Sequence, residues 1–201
     1  RRGQKTGHFL DQRHNRRRVG ALASRARVLD VFSATGGFGI HAAAGGATTV
    51  HAVDASAPTL AAAEHNVAIN RHLEPVASCR FVHEVGDAFA VLARLAAAGE
   101  RFDLVVVDPP SFARRAADVD AAVAAYGRLT GLALGVLDAG GVLVQASCSS
   151  RVPTDVFFAA VTRAANRAGR RLVEIARTGH DVDHPVTFPE GAYLTGGLWR
   201  V

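Results

Sequence analysis

Short β-rich apolar runs alternate with Ala-rich helical stretches along most of this chain, and that alternation narrows the possible folds more than any single motif. Residues 28–31, 48–53, 80–85, 102–107, 142–146 and 172–176 read as strands. Between them, 39–44, 58–70, 88–98, 120–137 and 154–168 read as helices, stopped by Gly45-Gly46, Gly99, Gly140-Gly141 and Gly169. Pro58 suits a first helical turn, and Thr154 suits an N-cap. The run 102–107 is almost wholly apolar, as expected of a strand covered on both faces. The fold class is therefore α/β, a mainly parallel sheet with helices on both faces. The tail, 191–201, is expected to add a last edge strand. Residues 1–24 read as an extended arm followed by a helix over 12–23, and residues 25–201 as the domain proper.

A chain of 201 residues, 49% hydrophobic and 20% charged, suits one domain with a substantial core. No apolar stretch is expected to cross a bilayer, and no secretory signal pattern opens the chain. Cys79 and Cys148 lie far apart and fit neither a zinc spacing nor a disulfide framework, so a reducing, cytoplasmic compartment is expected. The net charge is +5, and Lys5 is the sole lysine among 23 cationic side chains. A basic domain attracts polyanions, nucleic acid above all, although an Arg- and Ala-rich genome would produce the same excess. Arg13, Arg16, Arg17 and Arg18 cluster ahead of the first strand; the first three share a helical face and are candidates for phosphate contacts.

In parallel sheets of this kind ligands sit beyond the carboxyl ends of the strands, and the polar residues of interest fall there. The first strand runs into Asp30-Val31-Phe32-Ser33-Ala34-Thr35-Gly36-Gly37-Phe38-Gly39. Its glycines allow a sharp turn and close approach to a ligand. The spacing is not that of a dinucleotide fold, and a carboxylate at Asp30 would repel phosphate while favouring a cation such as a sulfonium. Asp54 ends the second strand, where an acidic residue can accept from both ribose hydroxyls, with Ala55 and Ser56 beside it. Asp87, next to Ala88, could accept from an adenine amino group. Both aspartates could instead cap the helices that follow them.

Asp108-Pro109-Pro110-Ser111-Phe112 follows the most apolar strand. Two prolines stiffen the turn, Asp108 can bond a base edge, and Phe112 can stack on the base. Cys148, in Ser147-Cys148-Ser149-Ser150, stands just past the fifth strand. A thiolate there could add to C6 of a pyrimidine and make C5 nucleophilic; Cys79, by contrast, reads as a core residue. His180, Asp181, Asp183 and His184 match no metal spacing, and no metal is expected.

Taken in order, these segments resemble the bacterial S-adenosylmethionine-dependent 23S rRNA cytosine-C5 methyltransferases. The match includes Gln4-Lys5-Thr6-Gly7-His8-Phe9-Leu10-Asp11-Gln12-Arg13, the glycine loop, Asp108-Pro109-Pro110-Ser111-Phe112, Ser147-Cys148-Ser149, Asp183-His184-Pro185 and Pro189-Glu190-Gly191-Ala192-Tyr193-Leu194. The resemblance implies a class I methyltransferase (Rossmann-like) fold of seven strands, the last antiparallel. It implies S-adenosylmethionine held by Ser33, Thr35, Gly36 and Gly37 at its methionine part, Asp54 at the ribose and Asp87 at the adenine, with Asp30, Phe32, Ala55, Ser56, Ala88, Asp108 and Pro109 around it. Asp11, Arg13, Arg17, Pro110, Phe112 and Arg114 are the expected RNA contacts, and Cys148 and Asp108 the catalytic pair. Members of that family carry an N-terminal RNA-binding domain of the PUA type, which these 201 residues do not include, and commonly have lysine where this chain has Ser111.

The expected activity is methyl transfer to C5 of a cytosine in ribosomal RNA through a cysteine adduct. Methylation of a guanine or adenine amine in RNA, which needs no cysteine, is one alternative; a non-catalytic, cofactor-binding RNA-docking module and a small-molecule methyltransferase are others. The oligomeric state is left open, a homodimer being one option.

Overall fold

The structure, a computed structural model, describes residues 9–113, 115–188 and 191–201. A 3₁₀ turn (Leu10–Gln12) leads into α1 (Arg13–Leu22), and the chain continues as β1 (Arg27–Val31), α2 (Gly37–Ala44), β2 (Thr49–Asp54), α3 (Ala57–Asn70), α4 (Glu74–Ser78), β3 (Arg80–Val85), α5 (Ala88–Ala97) and β4 (Phe102–Val107). There follow α6 (Val119–Val136), β5 (Leu137–Cys148), α7 (Thr154–Arg167), β6 (Val173–Thr178) and β7 (Leu194–Arg200). One sheet holds all seven strands in the order β3-β2-β1-β4-β5-β7-β6. The strands from β3 to β5 pair in parallel, and β7 runs antiparallel to both of its neighbours. The seven-stranded, mainly parallel α/β architecture expected from the alternation is present.

Strand β4 shows why the sheet is buried on both sides. Leu104 and Val106 face one core, with Val28, Val50, Val144 and Phe38 from α2. Val105 and Val107 face the other, with Leu29, Leu143, Leu92 from α5, Leu134 from α6 and Phe157 from α7. Side chains alternate across a strand, so an unbroken apolar run is what two covered faces require. Helix α1 packs on α2 at two glycines: a Cβ on Gly45 would collide with the Gly20 carbonyl.

The direction of progression reverses between β1 and β4. The chain moves outward from β1 through β2 to β3, then returns to lay β4 on the other flank of β1. The crevice beyond the carboxyl ends of β1 and β4 is the position where ligands settle in open parallel sheets.

Four expectations need correction. The tail forms no edge: β7 is inserted between β5 and β6, which is the edge strand. Leu194, Leu198 and Trp199 of β7 are buried, and Trp199 packs on Phe158, whereas β6 leaves Val173 and Ile175 exposed. The antiparallel ladder to β7 continues to Cys148↔Leu194, so β5 is longer than 142–146. Thr154 is not an N-cap: Pro153 holds that position, and Thr154 Oγ1 pairs with Thr195 Oγ1 at 3.0 Å. Finally, the 21-residue stretch Ala116–Val136 is long and apolar enough to cross a bilayer, its most apolar 18-residue window having a mean hydropathy of 1.2. It is a core helix here, with Tyr126, Leu129, Ala133 and Leu134 buried against the sheet and its neighbouring helices.

A candidate active site at the strand ends

On the β1–β2 side the loop after β1 is held by carboxylates bonding backbone. Phe32, Ala34 and Gly36 have φ of 61°, 48° and 80°, three left-handed residues within five. Such a run needs external restraint where side chains are present. Asp54 provides it: Oδ2 accepts from Ala34 N at 3.0 Å and Oδ1 from Ser56 N at 2.9 Å. Gly36 lies against Ala63, a Cβ there falling 3.1 Å from the alanine methyl. Ser56 Oγ caps α3 at Thr59 N, and Asp87 caps α5 by accepting from Ala90 N at 3.0 Å. These bonds leave the Asp54 and Asp87 carboxylates with further acceptor sites. Ala55 is exposed beside Asp54, and Ala88 is buried.

Asp30 is fully buried beneath this loop. Its Oδ2 accepts from Gly39 N at 2.9 Å, and its Oδ1 has no protein partner. Burial pushes its carboxyl up to about 7, against the lowering pull of the Gly39 N–H. Its visible role is therefore to hold the first turn of α2, and it faces a ligand only through the loop. Ser33 is buried too, with its hydroxyl unpartnered. Thr35 offers its carbonyl to Asn66 Nδ2 at 3.0 Å.

On the β4–β5 side, side chains hold side chains. Cys148 Sγ stands 3.8 Å from Asp108 Oδ1. The same oxygen accepts from Gln12 Nε2 at 2.8 Å, and Gln12 Oε1 accepts from Asn15 Nδ2 at 2.6 Å. That second bond fixes the Gln12 amide with its NH₂ toward Asp108. Arg16 follows on the same helical face, buried, with its guanidinium 5.6 Å from the Phe38 ring centre and within the fields of Asp108, Asp30 and Asp11. Burial lowers its pKa, and the three carboxylates oppose that.

Burial pushes the Cys148 thiol far above its ordinary range, with Asp108 and Asp11 adding to the effect. Burial also raises the Asp108 carboxyl to about 6, opposed chiefly by Arg16. The resting pair is thus a thiol donating to a carboxylate.

Behind the pair, Tyr126 OH accepts from Ser147 Oγ at 2.8 Å, and Gln145 bonds Thr130 and the Tyr126 carbonyl. Phe112 lies between Phe32 and Tyr126, with centroids 6.4 and 5.2 Å away. Its ring supports the wall, so stacking on a base is not its visible role. Pro109 is buried, and Pro110 is exposed at the mouth.

The structure brings Asp108, Cys148, Asp11 and Asp30 together. It does not bring the arginines together as a phosphate contact. Arg16 is buried, and Arg13 pairs with Asp183 at 2.9 Å and Asp181 at 3.7 Å. Arg17 is exposed, and Arg115 pairs with Asp118 at 3.0 Å. Arg114, the segment from Gln4 to His8, Pro189 and Glu190 lie outside the described residues. His180 Nε2 accepts from Leu194 N at 3.1 Å, and His184 pairs with Asp183. Among the described residues no three His, Cys, Asp or Glu side chains gather as metal ligands.

Nothing in the sequence assigns a role to Gln12, Asn15 or Tyr193. Tyr193 OH donates to Asp11 Oδ2 at 2.7 Å. The one available signal was spacing: Gln12, Asn15, Arg16 and the buried Val19 fall at i, i+3, i+4 and i+7, placing three polar side chains on an inward stripe.

A parallel sheet closed by a reversed seventh strand, with a glycine loop after β1 and an acidic residue at the end of β2, defines the class I methyltransferase architecture. SMU.776, solved in complex with SAH, shares it: TM-score 0.85 at 23% identity, over all of this chain and 52% of that one. The chain belongs to the family of S-adenosylmethionine-dependent methyltransferases, whose sequence pattern matches residues 1–190. A ribosomal RNA large subunit methyltransferase of Deinococcus radiodurans is 45% identical over 96% of this chain and 47% of its own length. Ribosomal RNA large subunit methyltransferase I of Shewanella amazonensis is 39% identical over 99% of this chain and 50% of its own. The chain spans about half the length of these curated relatives.

Proposed function

We propose that this chain methylates C5 of a cytosine in large-subunit ribosomal RNA, and that Cys148 adds to C6 of that base during the reaction. The RNA substrate is inferred from the names of the relatives. The chemistry is inferred from one observation: the thiol of Cys148 meets the carboxylate of Asp108 at 3.8 Å, at the mouth of the crevice.

The residues present fit the family's cofactor. The glycine loop packs tightly at Gly36, Ser33 has a buried hydroxyl without a partner, and Asp54 keeps acceptor capacity for two ribose hydroxyls. Three carboxylates, Asp11, Asp30 and Asp108, surround the single guanidinium of Arg16, a surplus that suits a cationic ligand. Residues 33–37 would hold the methionine part, Asp54 the ribose and Asp87 the adenine. When bound, the cofactor supplies an electrophilic methyl carbon on a sulfonium.

The remaining chemistry falls to the chain. A buried thiol is a poor nucleophile until its proton leaves. Asp108 takes that proton as Sγ attacks C6, then gives it to N3, so that no free thiolate has to form in a dry site. The sulfur–carbon bond places the ring's electrons on C5. After methylation, loss of the C5 proton restores the C5–C6 double bond and expels Cys148, which recovers the N3 proton through Asp108. The target base leaves its stack to reach the pair.

Replacement of Cys148 by alanine tests this. Reacted with unmodified large-subunit RNA, Cys148→Ala should bind cofactor like the parent and transfer no methyl, with the parental product mapped to cytosine C5 by mass spectrometry. Turnover by Cys148→Ala would overturn the C5 route in favour of amine methylation. Absence of transfer by the parent would favour a docking module. RNA carrying 5-fluorocytosine should trap the parent covalently, because fluorine cannot depart as a proton.

A further inference from the structure

The reaction needs an acceptor for the C5 proton, and Asp108 is poorly placed to be it. Asp108 serves the thiol and N3, in the plane of the base. With the sulfur on one face of the ring and the methyl arriving on the other, the C5 hydrogen is left on the sulfur's side. A group beside Cys148 is required.

The structure puts one there. Leu194 is the register partner of Cys148 across β5 and β7, so Tyr193 stands one residue beyond it, at the mouth. The electrostatic influence of Cys148 extends to Tyr193, and that of Asp11 to Cys148. Tyr193 is half-buried, and its hydroxyl donates to Asp11 Oδ2 at 2.7 Å, a bond between residues 182 positions apart. The ring is braced edge-on by His180, 4.5 Å between centroids at 90°, and His180 is itself anchored to the Leu194 N–H. Asp11 is 6% exposed, and its Oδ1 has no partner. It is a buried carboxylate with spare acceptor capacity for which the steps above have no use. Tyr126, the other tyrosine, is fully buried, and its oxygen is occupied by Ser147.

We propose that Tyr193 and Asp11 are the proton outlet of the site: the Tyr193 oxygen takes the C5 proton while its own proton passes to Asp11 Oδ2. The C5–H bond breaks, its electron pair forms the C5–C6 double bond, and the sulfur–C6 pair returns to Cys148, which takes back the N3 proton through Asp108. Tyr193 ends the step protonated, as it began, and Asp11 carries the proton away. Burial first, and then the bond to Asp11, raise the Tyr193 hydroxyl to about 12, so it enters the step as a phenol with a proton to pass on. This inference rests on the C5 reading.

Tyr193→Phe removes the relay, and Asp11→Asn keeps an acceptor for the Tyr193 hydroxyl while removing the proton sink. Both variants should transfer methyl in a single turnover with ordinary cytosine RNA and then stall. An SDS-resistant protein–RNA band should accumulate where the parent shows none, and steady turnover should fall about 100-fold. Release of methylated RNA at the parental rate, with no accumulating band, would overturn the proposal. So would loss of adduct formation together with a lowered melting temperature in both variants, since the bond would then be only a tie between segments. Failure of the parent itself to be trapped by 5-fluorocytosine RNA would instead sink the C5 reading, which keeps the two outcomes apart.

Discussion

On the β1–β2–β3 side of the crevice, carboxylates hold nearby backbone: Asp30 takes the N–H of Gly39, Asp54 those of Ala34 and Ser56, and Asp87 that of Ala90. On the β4–β5–β7 side, side chains hold distant side chains: Gln12 with Asp108, Cys148 with Asp108, and Tyr193 with Asp11. The first arrangement needs only adjacent strand ends and the turns after them. The second needs α1, β4, β5 and β7 assembled. The half proposed to hold the cofactor can therefore form from neighbouring strand–turn–helix units, while the half proposed to carry the reaction exists only in the finished fold.

Four substitutions press on this contrast. Asp108→Asn should have the largest effect, since it removes the acceptor of the thiol proton: single-turnover methyl transfer should fall about 1,000-fold, with cofactor affinity within a few-fold of the parent. An equal loss in both measurements would erase the distinction between the halves. Asp54→Ala should do the reverse. It leaves the Ala34 and Ser56 N–H groups without their carboxylate, and cofactor binding measured by calorimetry should weaken about 10- to 100-fold.

Gln12→Ala should lower kcat about tenfold and leave KM nearly unchanged. The Gln12 N–H lowers the Asp108 pKa, so its loss should move the acidic limb of the pH–rate profile, near 6 in the parent, to higher pH. An unmoved limb would make Gln12 a spectator.

Asp30→Asn should act most weakly, and on stability. The Asp30 carboxyl titrates near 7 when folded and near 3.8 when unfolded, so the folded chain binds the extra proton between those values. Its contribution is complete below about pH 4 and is lost as pH rises through about 7. The ligand-free parent should therefore lose melting temperature across that window, and Asp30→Asn should flatten the decline, because an asparagine oxygen can still accept from Gly39.

The same contrast decides what could be read in advance. Asp54 and Asp87 were visible as strand-end acids because their partners lie within about 20 residues, inside the repeating strand–turn–helix unit. Cys148 and Asp108 were visible singly, as polar residues at the ends of apolar runs. The polar face of α1 is not legible in the sequence: the arginine cluster suggests a phosphate partner for Arg16, because nothing local announces the carboxylates around it. The tail reads as a strand from its sequence, but its neighbours do not: it lies between β5 and β6 and not at the edge. Its own composition, Leu194, Leu198 and Trp199 with no charge before Arg200, was the clue that both its sides are covered.

The insertion of β7 between β5 and β6 has a consequence for biogenesis. During synthesis on the ribosome β5 and β6 emerge before the strand that joins them; β5 can pair with β4 at once, but β6 can join the sheet only when residues 194–200 have cleared the exit tunnel. Cys148 gains its cross-strand partner Leu194 in that same event, so the nascent polypeptide should complete the proposed nucleophile site only after β7 has emerged.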